Sequence, residues 1–295
     1  MANRTRIAVI LFVCTAGLTA CDGSRAPSAA SGGIPIAPSP ISTSAGELIR
    51  GSVSDTALRP IAGARVELLD GPQAGASTTT DANGEFSLHG TVDDATKFRA
   101  SMAGHERADA AVQPVCDRCN PRRWVHFHLN LLEPPVSLAG DYTLTFAAGS
   151  ACTSLPDGLQ RRSYEVVVAP GSAGWIGSPA TAPTAFTVRP KGSRFPEGLN
   201  NFSLHAAGNY VAVLLGDHTD PGITEQVAEH TYWAFGGAAT VTVESPVSTI
   251  STRFQGWIDS CMNPQMGARY NCTPSPTITL DRCDSTNHQL TLTRR

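Results

Sequence analysis

Charge is scarce in this chain. Of its 295 residues only 16% are Asp, Glu, Lys or Arg, the formal net charge is −3, and lysine occurs only as Lys97 and Lys191. Nothing gathers into the basic patch that a phosphate backbone requires, so nucleic acid is excluded as a partner on electrostatic grounds. Aromatic residues are also few, at 6%, while Gly (27) and Pro (21) are plentiful and 41% of residues are hydrophobic. That balance rules out disorder throughout and sits closer to turn-rich, secreted all-β proteins than to helical ones. Signatures of familiar enzyme classes are missing too: there is no Gly-x-Ser-x-Gly elbow, no Ser-x-x-Lys and no Walker loop. No His is followed three residues later by Glu, and His105-Glu106 lacks the second His of a zinc-protease helix. No catalytic residue and no cofactor is therefore assigned. A barrel enzyme stays as a lesser alternative, because glycosidase-like carboxylate pairs come from distant strands and leave no local signature.

The N-terminus reads as an address. Asn3 to Arg6 are cationic, and Ile7 to Leu18 form an apolar run too short to span the roughly 30 Å core of a bilayer comfortably. Leu18-Thr19-Ala20-Cys21 resembles the lipobox of bacterial lipoproteins, which implies cleavage after residue 20 and lipidation of Cys21. Losing Arg4 and Arg6 with the signal makes the mature chain more acidic by two charges. Two or three acyl chains, at about 0.8 kcal/mol per buried methylene, hold a protein on a membrane without crossing it. The expected location is the bacterial cell envelope, periplasmic or surface-exposed, with the membrane as partner through the lipid anchor. In enteric bacteria an Asp after the lipidated Cys, here Asp22, would imply retention at the inner membrane. Residues 21–45, rich in Ser, Ala, Pro and Gly, cannot bury enough apolar surface to offset chain entropy. They form a tether, which sets the following domain on the order of 25–30 Å from the lipid.

Residues 46–133 are predicted to form the first domain. Short alternating runs at Leu48 to Val53, Ala64 to Leu69, Ser77 to Thr80, Glu85 to Leu88, Lys97 to Ala100, His105 to Val112 and Trp124 to Leu132 read as strands. Asp81-Ala82-Asn83-Gly84 reads as a hairpin turn. Gly51-x-Val53-x-Asp55, then Pro60-Ile61-Ala62-Gly63-Ala64-x-Val66-x-Leu68, then Thr80-Asp81-Ala82-Asn83-Gly84-x-Phe86 resembles the carboxypeptidase regulatory-like domain over about residues 47 to 112. The resemblance implies a seven-stranded, transthyretin-like β-sandwich related to starch-binding-like modules, an accessory module with no catalytic residues to carry over. Pro114 to Arg123 departs from the pattern.

Pro134-Pro135 marks a linker, and residues 137–295 are predicted to be an antiparallel β-barrel or β-sandwich. Strands are expected at Tyr142 to Phe146, Ser163 to Ala169, Ala185 to Arg189, Asn201 to His205, Tyr210 to Leu215, Thr231 to Phe235, Thr240 to Glu244, Ile250 to Ile258, Thr277 to Leu280 and Gln289 to Thr293. So many strands favour closure, which removes exposed edges. A ligand-holding, lipocalin-like barrel is suggested by shape alone and carries little weight. Gly140-x-Tyr142-Thr143-Leu144, Arg161-Arg162-x-Tyr164 and the ending Cys283 with His288-Gln289-Leu290 resemble uncharacterised bacterial envelope β-domains, which implies no particular activity.

Once Cys14 leaves with the signal and Cys21 takes lipid, six cysteines remain, an even number that favours disulfides in an exported protein. Cys116 and Cys119 are expected to pair locally. If the first and last strands of a barrel pair antiparallel, Cys152 meets Cys283 and leaves Cys261 with Cys272. A link from Cys152 to Cys261 or Cys272 would instead mean an open sandwich. A sharper alternative joins Cys116-x-x-Cys119 to His126-x-His128 as a tetrahedral zinc set. A plain disulfide with both His on the outer, solvated face is the favoured reading, so no metal is assigned; a redox-active Cys-x-x-Cys lacks the helix N-terminus that would activate it. Asp217, His218 and Asp220 read as a solvated loop. Trp175, Trp233 and Trp257 read as core or half-buried packing, whereas Trp124 shares the outer face with His126 and His128. These three are the candidate ligand-binding residues of a non-enzymatic binding or adhesion module, carbohydrate being the ligand class implied mainly by the family resemblance. The alternative is a structural protein that supports another envelope protein or complex; a metal-binding protein ranks below both.

Overall fold

The computed structural model describes residues 47–93, 95–114, 123–171, 184–195, 201–216, 221–263, 272 and 278–295. Period-two alternation governs the first half. β1 (Glu47–Asp55), β2 (Arg65–Leu68), β3 (Ser77–Thr79), β4 (Glu85–Gly90), β5 (Lys97–Ser101), β6 (Ala108–Ala111), β7 (Gln113–Pro114) and β8 (Arg123–Leu129) form two four-stranded sheets, β4-β1-β8-β7 and β3-β2-β5-β6. Ile49, Val53, Phe86 and Leu88 of one sheet meet Val66, Leu68 and Phe98 of the other, and Val125, Phe127 and Leu129 complete the core. Burying each large side chain contributes roughly 1.5–3 kcal/mol. The predicted hairpin forms as expected: Asp81 Oδ1 accepts from the Asn83 and Glu85 amides at 2.9 and 2.8 Å. Gly84 has a φ of +72°, and a Cβ there would lie 2.5 Å from the Val53 carbonyl oxygen, so glycine is required twice over. β8 returns to run parallel to β1, with Ser52 opposite His126 and Ser54 opposite His128.

The second half is an eight-stranded antiparallel barrel built from β9 (Gly140–Ala147), β10 (Arg161–Pro170), β11 (Ala185–Pro190), β12 (Phe202–Ala207), β13 (Tyr210–Leu215), β15 (Thr231–Thr242), β16 (Thr249–Met262) and β17 (Ile278–Arg294). It closes as expected by pairing first with last, Ala147 opposite Gln289 through Tyr142 opposite Arg294. β14 (Ile223–Ala228) pairs with the start of β15 while β13 pairs with its end, so the two share one neighbour along its length. A short helix, α1 (Asp157–Gln160), precedes β10.

Three strand assignments need correction. Thr231 to Phe235 and Thr240 to Glu244 belong to one strand, β15, running through Gly236-Gly237. A Cβ on Gly236 would lie 2.3 Å from the Trp257 ring, so the pair serves close strand approach and not a turn. Of the expected Thr277 to Leu280 strand, Thr277 lies outside the described residues; Ile278 to Leu280 and Gln289 to Thr293 lie on one long β17 run, its polar middle unrecognised because no barrel core demands alternation there. β14 was not expected at all: after the buried Ile223 its next inward residue is Glu225, which breaks the apolar pattern.

Phe146 stacks on Phe235 at 4.6 Å and meets Phe254 edge-on at 5.8 Å, while Tyr142, Leu144, Val166, Val188, Leu204, Val213, Leu290 and Leu292 fill the space around them. The barrel interior is thus a packed core, unlike the ligand cavity of a lipocalin. Cys152–Cys283 ties the seam with Cα atoms 5.6 Å apart, and Cys261–Cys272 pins a neighbouring loop at 5.5 Å. Both pairings are those that barrel closure predicts.

Sandwich and barrel lie within one compact unit, Ala45–Arg295. The β1–β2 loop makes the joint. Asp55 Oδ1 accepts from the Ala57 and Arg59 amides at 2.8 and 3.0 Å, its Oδ2 pairs with Arg59 Nε at 2.6 Å, and the turn holds Leu58 at a φ of 64°. Thr56 Oγ1 then donates to the Ala206 carbonyl at 2.7 Å, Ala57 packs on Ala207 and Ala212, and the Arg59 guanidinium lies 4.3 Å over Tyr210.

Candidate functional site

Alternation along β8 sends Val125, Phe127 and Leu129 into the core and Trp124, His126 and His128 to the outer face, as the sequence predicts. The sequence could not show what stands beside them. Because β1 runs parallel and in register, Ser52 Oγ lies 2.9 Å from His126 Nδ1 and Ser54 Oγ 2.8 Å from His128 Nδ1. The histidines are not simply solvated, as expected, but each is held by its own serine. Trp124 Nε1 also donates to His126 Nδ1 at 3.3 Å, with ring centroids 5.6 Å apart.

An indole nitrogen can only donate, so His126 Nδ1 is an acceptor and its proton sits on Nε2, pointing a donor outward. Burial, aided by the neighbouring His128, holds the His126 pKa below the usual histidine value; burial does the same to His128, offset in part by the Asp55 main chain. Both rings are therefore neutral hydrogen-bonding groups at pH 7. A proton on His126 Nε2 also removes the lone pair with which that atom would face a metal. Among the described residues no group of three His, Cys, Asp or Glu side chains is placed to hold a metal ion. Cys116 and Cys119, the other half of the zinc alternative, lie outside the described residues, as do Cys21, Trp175, Asp217, His218 and Asp220.

The same face continues across the sheet. Arg50 stands between Ser87 of β4 and Trp124 of β8, and Ser52 stands between Glu85 and His126. Along the rim, Leu48, Arg50, Glu85 and Ser87 border a groove of about 320 Å³ whose far wall is Thr78, Thr79 and Asp81. Trp124 is half-buried and Arg50 exposed, so an aromatic surface, a guanidinium, a carboxylate, hydroxyls and an imidazole N–H all reach solvent together.

A second polar cluster, missed from sequence, closes one region of the barrel. Glu225, only 1% exposed, takes Arg162 through two nitrogens, Tyr164 OH at 2.9 Å and Arg194 Nη1 at 3.2 Å. The Arg162 guanidinium lies 4.6 Å over Trp233. Every strong acceptor position on Glu225 is occupied by protein, and burial with the adjacent carboxylate drives the Tyr164 hydroxyl far above its usual range. This carboxylate is a structural tie with no free lone pair for a substrate. On the outside of β16, Asp259 is 1% exposed and sits 3.3 Å from Arg282, and burial pushes its pKa up to about 6.

These features define an all-β protein, a sandwich joined to a disulfide-tied barrel, and two disulfides mark an extracytoplasmic setting. Among the described residues no helix is long and apolar enough to cross a membrane. Residues 48–117 match the family model of the carboxypeptidase regulatory-like domain, which fits a non-enzymatic sandwich module. β8, with Trp124, His126 and His128, lies beyond the matched stretch. No curated protein matches the chain.

Proposed function

We propose that the mature chain is a non-enzymatic binding module of the cell envelope, lipid-anchored at Cys21, that holds carbohydrate on the outer face of its sandwich. The observation that supports this most directly is the prearranged row of Trp124, His126 and His128, each imidazole held by a serine of β1. Sugars present an apolar ring face with hydroxyls around its edge, so their recognition needs an aromatic surface bordered by donors and acceptors. Trp124 supplies the first, and His126, Ser52 and Glu85 supply the second. Because the indole N–H is already tied to His126, little side-chain freedom is lost on binding.

Membrane-bound protein assayed on a glycan array is the test. The wild-type chain is expected to bind a subset of glycans. Trp124→Ala should lose that binding by at least tenfold, about 1.4 kcal/mol, while remaining in the membrane fraction. Cys21→Ser should do the reverse, leaving the membrane with glycan binding intact. A blank array for the wild type, with co-purification of a fixed envelope partner, would replace this reading with the second one, a supporting scaffold. The apolar side chains that fill the barrel core among the described residues favour that alternative.

A further inference from the structure

We infer that the glycan is acidic: a sugar whose carboxylate is paired by Arg50 while the apolar face of its ring lies on Trp124. This rests on the carbohydrate reading of the same face. Arg50 occupies the middle of the site, on β1, directly opposite Trp124 on one side and Ser87 on the other. Adjacent strands lie about 4.8 Å apart, which is the scale of one pyranose ring and its exocyclic group.

What marks Arg50 is its place at the centre of a sheet, beside an aromatic ring, with no carboxylate partner among the described residues. Arg59, Arg99, Arg162, Arg194 and Arg282 each pair with a carboxylate of the protein. The Arg50 guanidinium enters none of the ion pairs among the described residues, although it projects from the centre of a sheet and not from a flexible tip. Glu85, the carboxylate of the next cross-strand row, faces Ser52 and lines the groove with Asp81, Thr78 and Thr79. The two histidines of the face are neutral at pH 7, so they neither repel Arg50 nor compete with it for an anion. Charge is thus sorted among the described residues of the face: an unpaired cation beside the aromatic ring, and acceptors along the groove. A planar guanidinium binds a carboxylate through two parallel N–H···O bonds, whereas a neutral sugar offers it only hydroxyls. Carboxylates lining the groove suit the hydroxyl groups of an adjoining ring, which they accept from.

Tryptophan-fluorescence titration of the full mature chain in detergent, with oligogalacturonate as the acidic probe and maltooligosaccharide as the neutral one, tests the inference. Tighter binding of the uronate is expected, weakening as salt is raised from low to physiological concentration. Arg50→Gln should lower uronate affinity about three- to tenfold and leave maltooligosaccharide binding unchanged. Trp124→Ala should weaken both. Equal or tighter binding of the neutral probe, or uronate affinity unmoved by Arg50→Gln, would overturn the acidic preference and leave the carbohydrate reading standing. Failure of the wild type to bind any glycan on the array, these two included, would remove both. Arg50 is exposed, and an unchanged thermal midpoint of Arg50→Gln would show that a loss of binding is not a loss of fold.

Discussion

The sandwich and the barrel treat their polar residues in opposite ways. In the barrel the unusual groups are buried with protein partners: Glu225 is held by Arg162, Arg194 and Tyr164, and Asp259 is buried against Arg282. In the sandwich the cluster between the sheets is apolar, Asp55 is buried against Arg59 in the β1–β2 loop, and Trp124, His126, His128 and Arg50 stand on the outer face of one sheet. A charge enclosed with its partners stabilises only the arrangement that encloses it, whereas a charge left on a rigid surface is available to something else. The barrel thus concerns its own integrity, and the sandwich offers the surface.

The largest effect that this contrast predicts comes from removing the buried anion. Glu225→Ala leaves Arg162 without its carboxylate inside the barrel, and a loss of about 3–5 kcal/mol is expected, read as a fall in the denaturant midpoint. Trp124→Ala, measured alongside, should move that midpoint by no more than about 0.5 kcal/mol if its face is free surface. Comparable losses in the two variants would erase the distinction between the regions.

Next in size is the seam. Cys152→Ser opens a 131-residue loop, and the expected loss is about 2–5 kcal/mol before native-state strain is considered. Thiol labelling of the folded variant should capture Cys283, and non-reducing peptide mapping should still recover Cys261–Cys272. Finding Cys283 re-paired with another cysteine would show that the seam is not fixed by the strand order.

The smallest effect concerns pH. Because burial raises the Asp259 pKa from 3.8 to about 6, its contribution to stability is fully present below about 3.8 and is lost as pH rises through about 6. His288, fully buried and accepting from the Gly149 amide, acts in the opposite direction: its lowered pKa means that stability present above its ordinary value of 6.5 is lost as pH falls through that value toward the folded-state one. Asp259→Asn should therefore lose stability relative to wild type most at pH 4 and least at pH 7, as followed by thermal melts. Parallel pH curves for the two proteins would contradict the assignment.

Much of the fold was legible because β structure with one buried face writes itself locally. Val125, Phe127 and Leu129 alternate with Trp124, His126 and His128, so the strand and its two faces follow from six consecutive residues. Legibility failed where the tertiary environment overrode alternation. Gly236-Gly237 reads as a break, yet it lies inside β15 because β16 approaches there too closely for any Cβ. In Ile223 to Ala228 the apolar alternation begun by buried Ile223 breaks at Glu225, which points toward Arg162, more than sixty residues away.

By itself, then, the sequence determined most strand positions and, on the condition that a barrel closes first strand to last, the disulfide partners; whether it closed or stayed an open sandwich was left to the tertiary structure, because periodicity and chain order do not fix strand neighbours. It also determined that Trp124, His126 and His128 share a face. Only the tertiary structure decided what stands next to them. Strand register is set by non-local packing of two cores, and a shift of one residue would have sent Ser52, Ser54 and Arg50 to the other side of the sheet. The same holds for Glu225, whose place inside the barrel depends on arginines that no local pattern could connect to it.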